Sequence, residues 1–181
     1  MILHTVGHGS RSLDELLATL HAASIGRLVD VRRFPGSRRH PHFARASLET
    51  ELPRTGIVYD FRGDALGGRR QATGPSRHPA WREPSFRAYA DYMDTPVFRA
   101  ALAALEDTAA AGPPLAFMCA ETLWWQCHRR LIADALTVRG AEVLHLIGTA
   151  PARPHVLHPD LRVDDEGRPV YDLHVSGTLL E

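Results

Sequence analysis

The chain has 181 residues, 44% of them apolar and 23% charged, an ordinary composition for one globular domain with a full core. Its formal net charge is zero, so bulk electrostatics offers no case for nucleic acid or membrane binding, yet all 21 basic residues are arginine and none is lysine, and arginine is the better fork for phosphate or carboxylate. No apolar run approaches the roughly 20 residues needed to span a bilayer, and the N-terminus lacks the basic start and long apolar centre of a signal peptide, so a cytoplasmic address and free rather than disulfide-bonded cysteines are expected.

Ile2 to Val6 reads as a strand, and Gly7-His8-Gly9-Ser10 as a tight turn into a helix opened by the capping box Ser12-x-x-Glu15. Leu13, Leu16, Leu17 and Leu20 recur at helical spacing until Gly26, after which Arg27 to Arg32 forms a second strand; strand, helix and strand over so short a span is a βαβ unit with parallel pairing. Residues 33 to 45, with two prolines and a glycine, read as a basic irregular loop. A short helix around Ser47 to Leu52 leads to a third strand, Ile57 to Phe61, followed by a polar stretch from Arg62 to Pro84 without evident elements of its own. Phe86, Tyr89, Ala90 and Met93 mark a helix, and Thr95-Pro96 caps another that runs to Gly112. Leu115 to Cys119 is the fourth strand, His128 to Arg139 a helix stopped by Gly140, Val143 to Ile147 a fifth strand, and the tail a hairpin pairing Leu161 to Val163 with Val170 to Leu173.

This order predicts an α/β fold: an open, mainly parallel sheet of about five strands with helices on both faces, Rossmann-like in its three layers, plus a small C-terminal hairpin. Ligands of such sheets bind beyond the carboxyl ends of the strands. That edge should carry His8 after the first strand, Asp30 and Arg32 with the basic loop after the second, the Arg62 to Arg70 segment after the third, and Cys119 with Glu121 after the fourth.

Thirteen residues, Met118 to Arg130, hold both cysteines and two of the three tryptophans. Three readings of Cys119 and Cys127-His128 stand side by side. The thiol can act as nucleophile or redox group with Glu121, His128 and His8 as acid-base partners; two thiolates and an imidazole, from Cys119, Cys127 and His128, can hold a metal; or the cysteines are small buried hydrophobes. Arg32, Ser37, Arg38, Arg39 and, from the next loop, Arg69 suit a phosphate held bidentately, with a solvated basic loop as the plain alternative. Trp124 and Trp125 can stack a flat ligand or cover the core, and Arg129 can join the anion site.

The order of motifs, Thr-Val-Gly-His, Leu-Val-Asp-Val-Arg, Pro-Gly-Ser-Arg-Arg-x-Pro-x-Phe, Leu-Gly-Gly-Arg-Arg, Tyr-Ala-Asp-Tyr-Met and Cys-Ala-Glu-x-x-Trp-Trp-x-Cys-His-Arg-Arg, resembles the bacterial family of domain of unknown function 488 from His4 to about Ile147. Residues matching that pattern are His8, Asp30, Arg32, Pro35, Ser37, Arg38, Gly67, Gly68, Cys119, Glu121, Cys127, His128 and Arg129, while Gly9 stands where the family commonly has serine. The resemblance implies one compact domain with a common site and no particular reaction. The second strand also resembles that of rhodanese-like and cysteine phosphatase domains, although Cys119 meets its first downstream arginine only at Arg129.

Two classes of function follow. One is an enzyme acting on a phosphorylated small molecule or a nucleotide or nucleic-acid ligand; the other is a non-catalytic module binding nucleic acid or a partner. Neither requires a cofactor from the sequence, and neither fixes an oligomeric state.

Overall fold

β-branched and apolar runs form the strands, and their parallel register brings the carboxyl ends of those that matter to one edge. A computed structural model describes residues 1–36 and 39–175. Its six-stranded sheet is built from β1 (Ile2–Gly7), β2 (Arg27–Asp30), β3 (Val58–Phe61), β4 (Leu115–Cys119), β5 (Glu142–Leu146) and β6 (Arg153–Pro154), in the order β3-β2-β4-β1-β5-β6. All pairings are parallel except that of β6 with β5. β4 therefore lies between β1 and β2, with Gly7 opposite Cys119 and Asp30 opposite Met118.

β4 is buried along its whole length, and its period of two divides it between two cores. Leu115, Phe117 and Cys119 face a cluster that includes Tyr89 and Met93 of α4 (Pro84–Met93), Phe98 and Leu102 of α5 (Pro96–Ala111), and Leu131 and Ile132 of α6 (Arg129–Val138). Ala116 and Met118 face Leu16 and Leu20 of α1 (Leu13–Ala22) and Leu48 and Leu52 of α2 (Arg45–Arg54). Helices thus cover both faces. The Ser12/Glu15 capping box is present at the start of α1, and Thr95 caps α5 through its hydroxyl.

Several elements differ from the sequence reading in their bounds or were not expected. β2 stops at Asp30 rather than Arg32, because the Asp30 carboxylate accepts the Arg32 amide and turns the chain. The loop after it contains a 3₁₀ turn, Pro41–Phe43, and the next helix starts at Arg45 rather than Ser47. In the polar stretch after β3 the chain forms α3 (Gly63–Leu66), and the rest is pinned by side chains: Ser76 donates to Asp91, and Arg77 forms an ion pair with Asp94. The short β6 ends on Pro154 at the sheet edge, where a missing N–H costs no ladder bond. The C-terminal hairpin is present as β7 (Leu161–Val163) and β8 (Pro169–Tyr171), and it inserts Tyr171 into the core. Among the described residues no helix is long and apolar enough to cross a membrane.

Candidate functional site

The loop after β4 is held against the end of β1. Backbone amides of His8 and Gly9 donate to the carbonyls of Cys119 and Ala120 at 3.1 and 2.8 Å, extending the parallel pairing past both strands. The Glu121 carbonyl then packs over Gly7, where a Cβ would stand 1.8 Å from its oxygen, so only glycine fits there. Arg129, at the start of α6 and 1% exposed, reaches under this loop and donates to Thr5 Oγ1 at 3.2 Å, to Thr122 O at 3.4 Å and to Glu121 O. Its guanidinium is a clamp on the loop rather than a group facing ligand.

This folding of residues 120–126 returns the chain so that Cys127 and His128 meet Cys119. His128 Nδ1 lies 3.7 Å from Cys119 Sγ and 3.5 Å from Cys127 Sγ, and His128 Nε2 lies 3.1 Å from the Val31 carbonyl. A carbonyl only accepts, so Nε2 carries the hydrogen and Nδ1 presents its lone pair to both sulfurs. Cys127 Sγ also accepts the Arg129 amide at 3.5 Å. The hydrogen bond to Cys127, then burial, push the Cys119 thiol well up. Burial works against a charge on Cys127 too, but the hydrogen bond from the Cys119 thiol and the nearby Arg129 guanidinium favour the ionised form and pull that thiol well below its ordinary value. Of the two sulfurs, Cys127 is therefore the more readily ionised.

Next to this centre lies a cavity of about 330 Å³, within the range of small-molecule sites. Its walls include Cys119, Cys127, His128 and Glu121 together with Arg32, Arg33, Phe34, Gly68, Arg69 and Tyr89. A second hollow of about 540 Å³ shares Arg33, Phe34 and Arg69 with it and continues over Arg70, Asp91 and Tyr92. Arg33 donates to the Arg69 carbonyl at 2.9 Å, which ties the loops after β2 and β3 together at the junction of the two hollows. Arg32, Arg62 and Arg77 are neutralised by Asp30, Asp60 and Asp94, whereas among the described residues Arg33 and Arg69 pair with no carboxylate.

Of the residues singled out in the sequence, Cys119, Glu121, Cys127, His128, Arg32 and Arg69 line the cavity. Arg32 does so as a braced group: its Nε and Nη2 donate to Asp30 at 2.9 and 2.5 Å, and Nη2 also donates to the Phe43 carbonyl at 2.8 Å. His8, Arg39, Trp124, Trp125 and Arg129 stand outside its walls. His8 donates from Nδ1 to Gly9 O, accepts from Arg32 at Nε2 and stacks on Phe43. Trp124 lies parallel to His145 with ring centroids 4.1 Å apart, covering β5, and Trp125 is 42% exposed. Ser37 and Arg38 lie outside the described residues. Sequence reasoning counted Arg33 among the guanidinium groups of the basic loop but did not single out Phe34 or Tyr89. Phe34, 64% exposed beside Arg33, carries a weak signal, a large aromatic in a polar loop.

The buried histidines make acid stability a test of this arrangement. Burial first, then Arg32, lowers His8 to about 4. Burial, then His155, lowers His145 to about 3, and His145 is held between Thr5 Oγ1 and His155. Unfolded histidines take up protons as pH drops below about 6.5, while these two stay neutral in the folded chain. Stability should therefore be level above about pH 6.5 and fall steadily below it, by at most about 3 kcal/mol per group by pH 4. A urea midpoint unchanged between pH 7.5 and 4.5 would show that neither ring is held neutral.

A family model described as Domain of unknown function DUF488 matches residues 12–136, which contain every cavity residue named above. No curated protein and no solved structure matches the chain.

Proposed function

The chain belongs to the Domain of unknown function DUF488 family, and from its site we propose that it is an enzyme acting on a phosphorylated, nucleotide-like ligand. The observation that carries this reading is that one cavity is walled both by Arg33 and Arg69, two arginines that pair with no carboxylate among the described residues, and by the Cys119, Cys127 and His128 centre. Guanidinium forks are the side chains best matched to phosphate oxygens. Charge sorts the space: Glu121 lines only the first hollow and Asp91 only the second, whereas Arg33 and Arg69 stand at the junction of the two. Phosphate belongs at the junction and the reacting part of the ligand beside the sulfurs. Phe34, exposed at the same junction, takes the stacking role first considered for Trp124 and Trp125, because the Trp124 ring already lies against His145.

Nucleoside monophosphates and inorganic pyrophosphate are suitable probes, titrated calorimetrically at low salt. Exchanging Arg33 and Arg69 together for alanine should weaken binding at least about tenfold, since each charge-assisted hydrogen bond contributes roughly 1.5–3 kcal/mol. Binding that survives the double substitution would overturn the placement of the phosphate. Tight binding with no turnover of any nucleotide tested would favour a binding module over an enzyme.

A further inference from the structure

We propose that Cys119 Sγ, Cys127 Sγ and His128 Nδ1 are three ligands of a zinc ion whose fourth position opens into the cavity. The three atoms lie within 4.8 Å of one another. The two sulfur-to-nitrogen distances, 3.7 and 3.5 Å, are those a shared ion would impose. With Zn–S at about 2.3 Å and Zn–N at about 2.0–2.1 Å, the S···N edge of a tetrahedral site is about 3.6 Å. A cation at this point would satisfy all three donor atoms at once, each offering a lone pair to it.

The surroundings fit the same assignment. Nε2–H of His128 donates to the Val31 carbonyl, the outer contact that fixes the tautomer and orientation of a metal-bound imidazole. The Arg129 amide donates to Cys127 Sγ, as suits a thiolate. Cys119 ends β4 and His128 is the cap of α6, so regular elements hold the ligands in place before any ion arrives. Gly68 keeps the approach to Nδ1 clear, since a Cβ there would stand 3.0 Å from it. Two thiolates and one imidazole select zinc over magnesium or calcium, which prefer oxygen. Three protein ligands with an open position distinguish a reactive zinc site from a closed structural one. All three line the cavity, and Glu121 is a lining residue of the same cavity.

Only the use of the open position rests on the phosphorylated-ligand reading; the ion itself does not. The test is elemental analysis of the full chain, purified under reductant without added metal, and of the same protein after equilibration with stoichiometric zinc. About one zinc per chain is expected, falling at least about tenfold in Cys119→Ser, Cys127→Ser and His128→Ala and retained in Glu121→Gln. A variant that fails to fold is bypassed by the unmodified chain. Both its thiols should resist alkylation by iodoacetamide until a chelator is added, and cobalt in place of zinc should give thiolate-to-cobalt charge-transfer absorption. Less than a tenth of a zinc per chain after equilibration, or alkylation equally fast with and without zinc, would overturn the assignment. Neither result bears on the phosphate site, because pyrophosphate binding at Arg33 and Arg69 is measured separately on the chelator-treated chain.

Discussion

Replacing Arg129 by methionine should lower the melting temperature by roughly 10 °C, the equivalent of about 3 kcal/mol for a chain of this size. Methionine fills much of the volume of this arginine, the largest of the fully buried side chains, but donates nothing. The carbonyls of Glu121 and Thr122 and the Thr5 hydroxyl then lose the donor that holds them, and each acceptor left unsatisfied costs roughly 1–3 kcal/mol. Removing a buried charge recovers part of this, more so because Arg129 Nε has no partner among the described groups. The balance stays unfavourable because three acceptors lose their donor at once, and the same guanidinium favours ionisation of Cys127. Hydrogen exchange should show the loss concentrated in residues 119–123. A melting temperature within a degree or two of the unmodified chain would remove Arg129 from the support of the loop.

The contrast between Cys119 and Arg129 shows what the sequence could reveal. The unbroken apolar run from Leu115, bounded by Gly112-Pro113-Pro114, places Cys119 at the carboxyl end of a strand buried on both faces, and the rule for parallel sheets makes that end the place to look for a ligand. Both inferences need only local pattern. The role of Arg129 depends on where residues 120–126 fold, because its acceptors are Thr5 and the loop backbone, and backbone acceptors leave no trace in side-chain identity. The Cys-x7-Cys-His spacing hides the three-atom cluster for the same reason: the close spacing of ordinary structural zinc sites reflects a short turn, whereas here a longer loop with the 3₁₀ turn Trp124–Gln126 closes the distance. Trp124 was ambiguous because an amphipathic ring suits a core lid and a ligand platform equally, and only the contact with His145 decides. The arginines divide likewise. Asp30, two residues before Arg32, marks Arg32 as a neutralised group, and what separates Arg33 from it is that no carboxylate among the described residues pairs with it.

Asp30→Ala should be the other severe substitution, costing about 3–5 kcal/mol, the range for leaving one member of a buried ion pair alone. Asp30 is fully buried, and its carboxylate accepts from the Arg32 amide, from Arg32 Nε and Nη2, and from the Tyr59 hydroxyl at 2.7 Å. Burial beside this carboxylate also drives the Tyr59 hydroxyl upward, so Tyr59 stays a donor. Without Asp30 the guanidinium of Arg32, 7% exposed, keeps among the described residues the Phe43 carbonyl and His8 Nε2 as partners, neither of them a counter-charge. The decisive comparison is with Asp30→Ala/Arg32→Met. If the cost comes from a stranded charge, removing the charge as well should return part of the loss, and the double variant should be more stable than Asp30→Ala alone. A double variant as unstable as the sum of the two single ones would show instead that the pair acts through independent packing. Arg32 also carries the loop after β2 by its hold on Phe43, and Arg33 is the next residue in that loop. Asp30→Ala should therefore weaken pyrophosphate binding under conditions where the variant remains folded, although Asp30 itself stands outside the cavity walls.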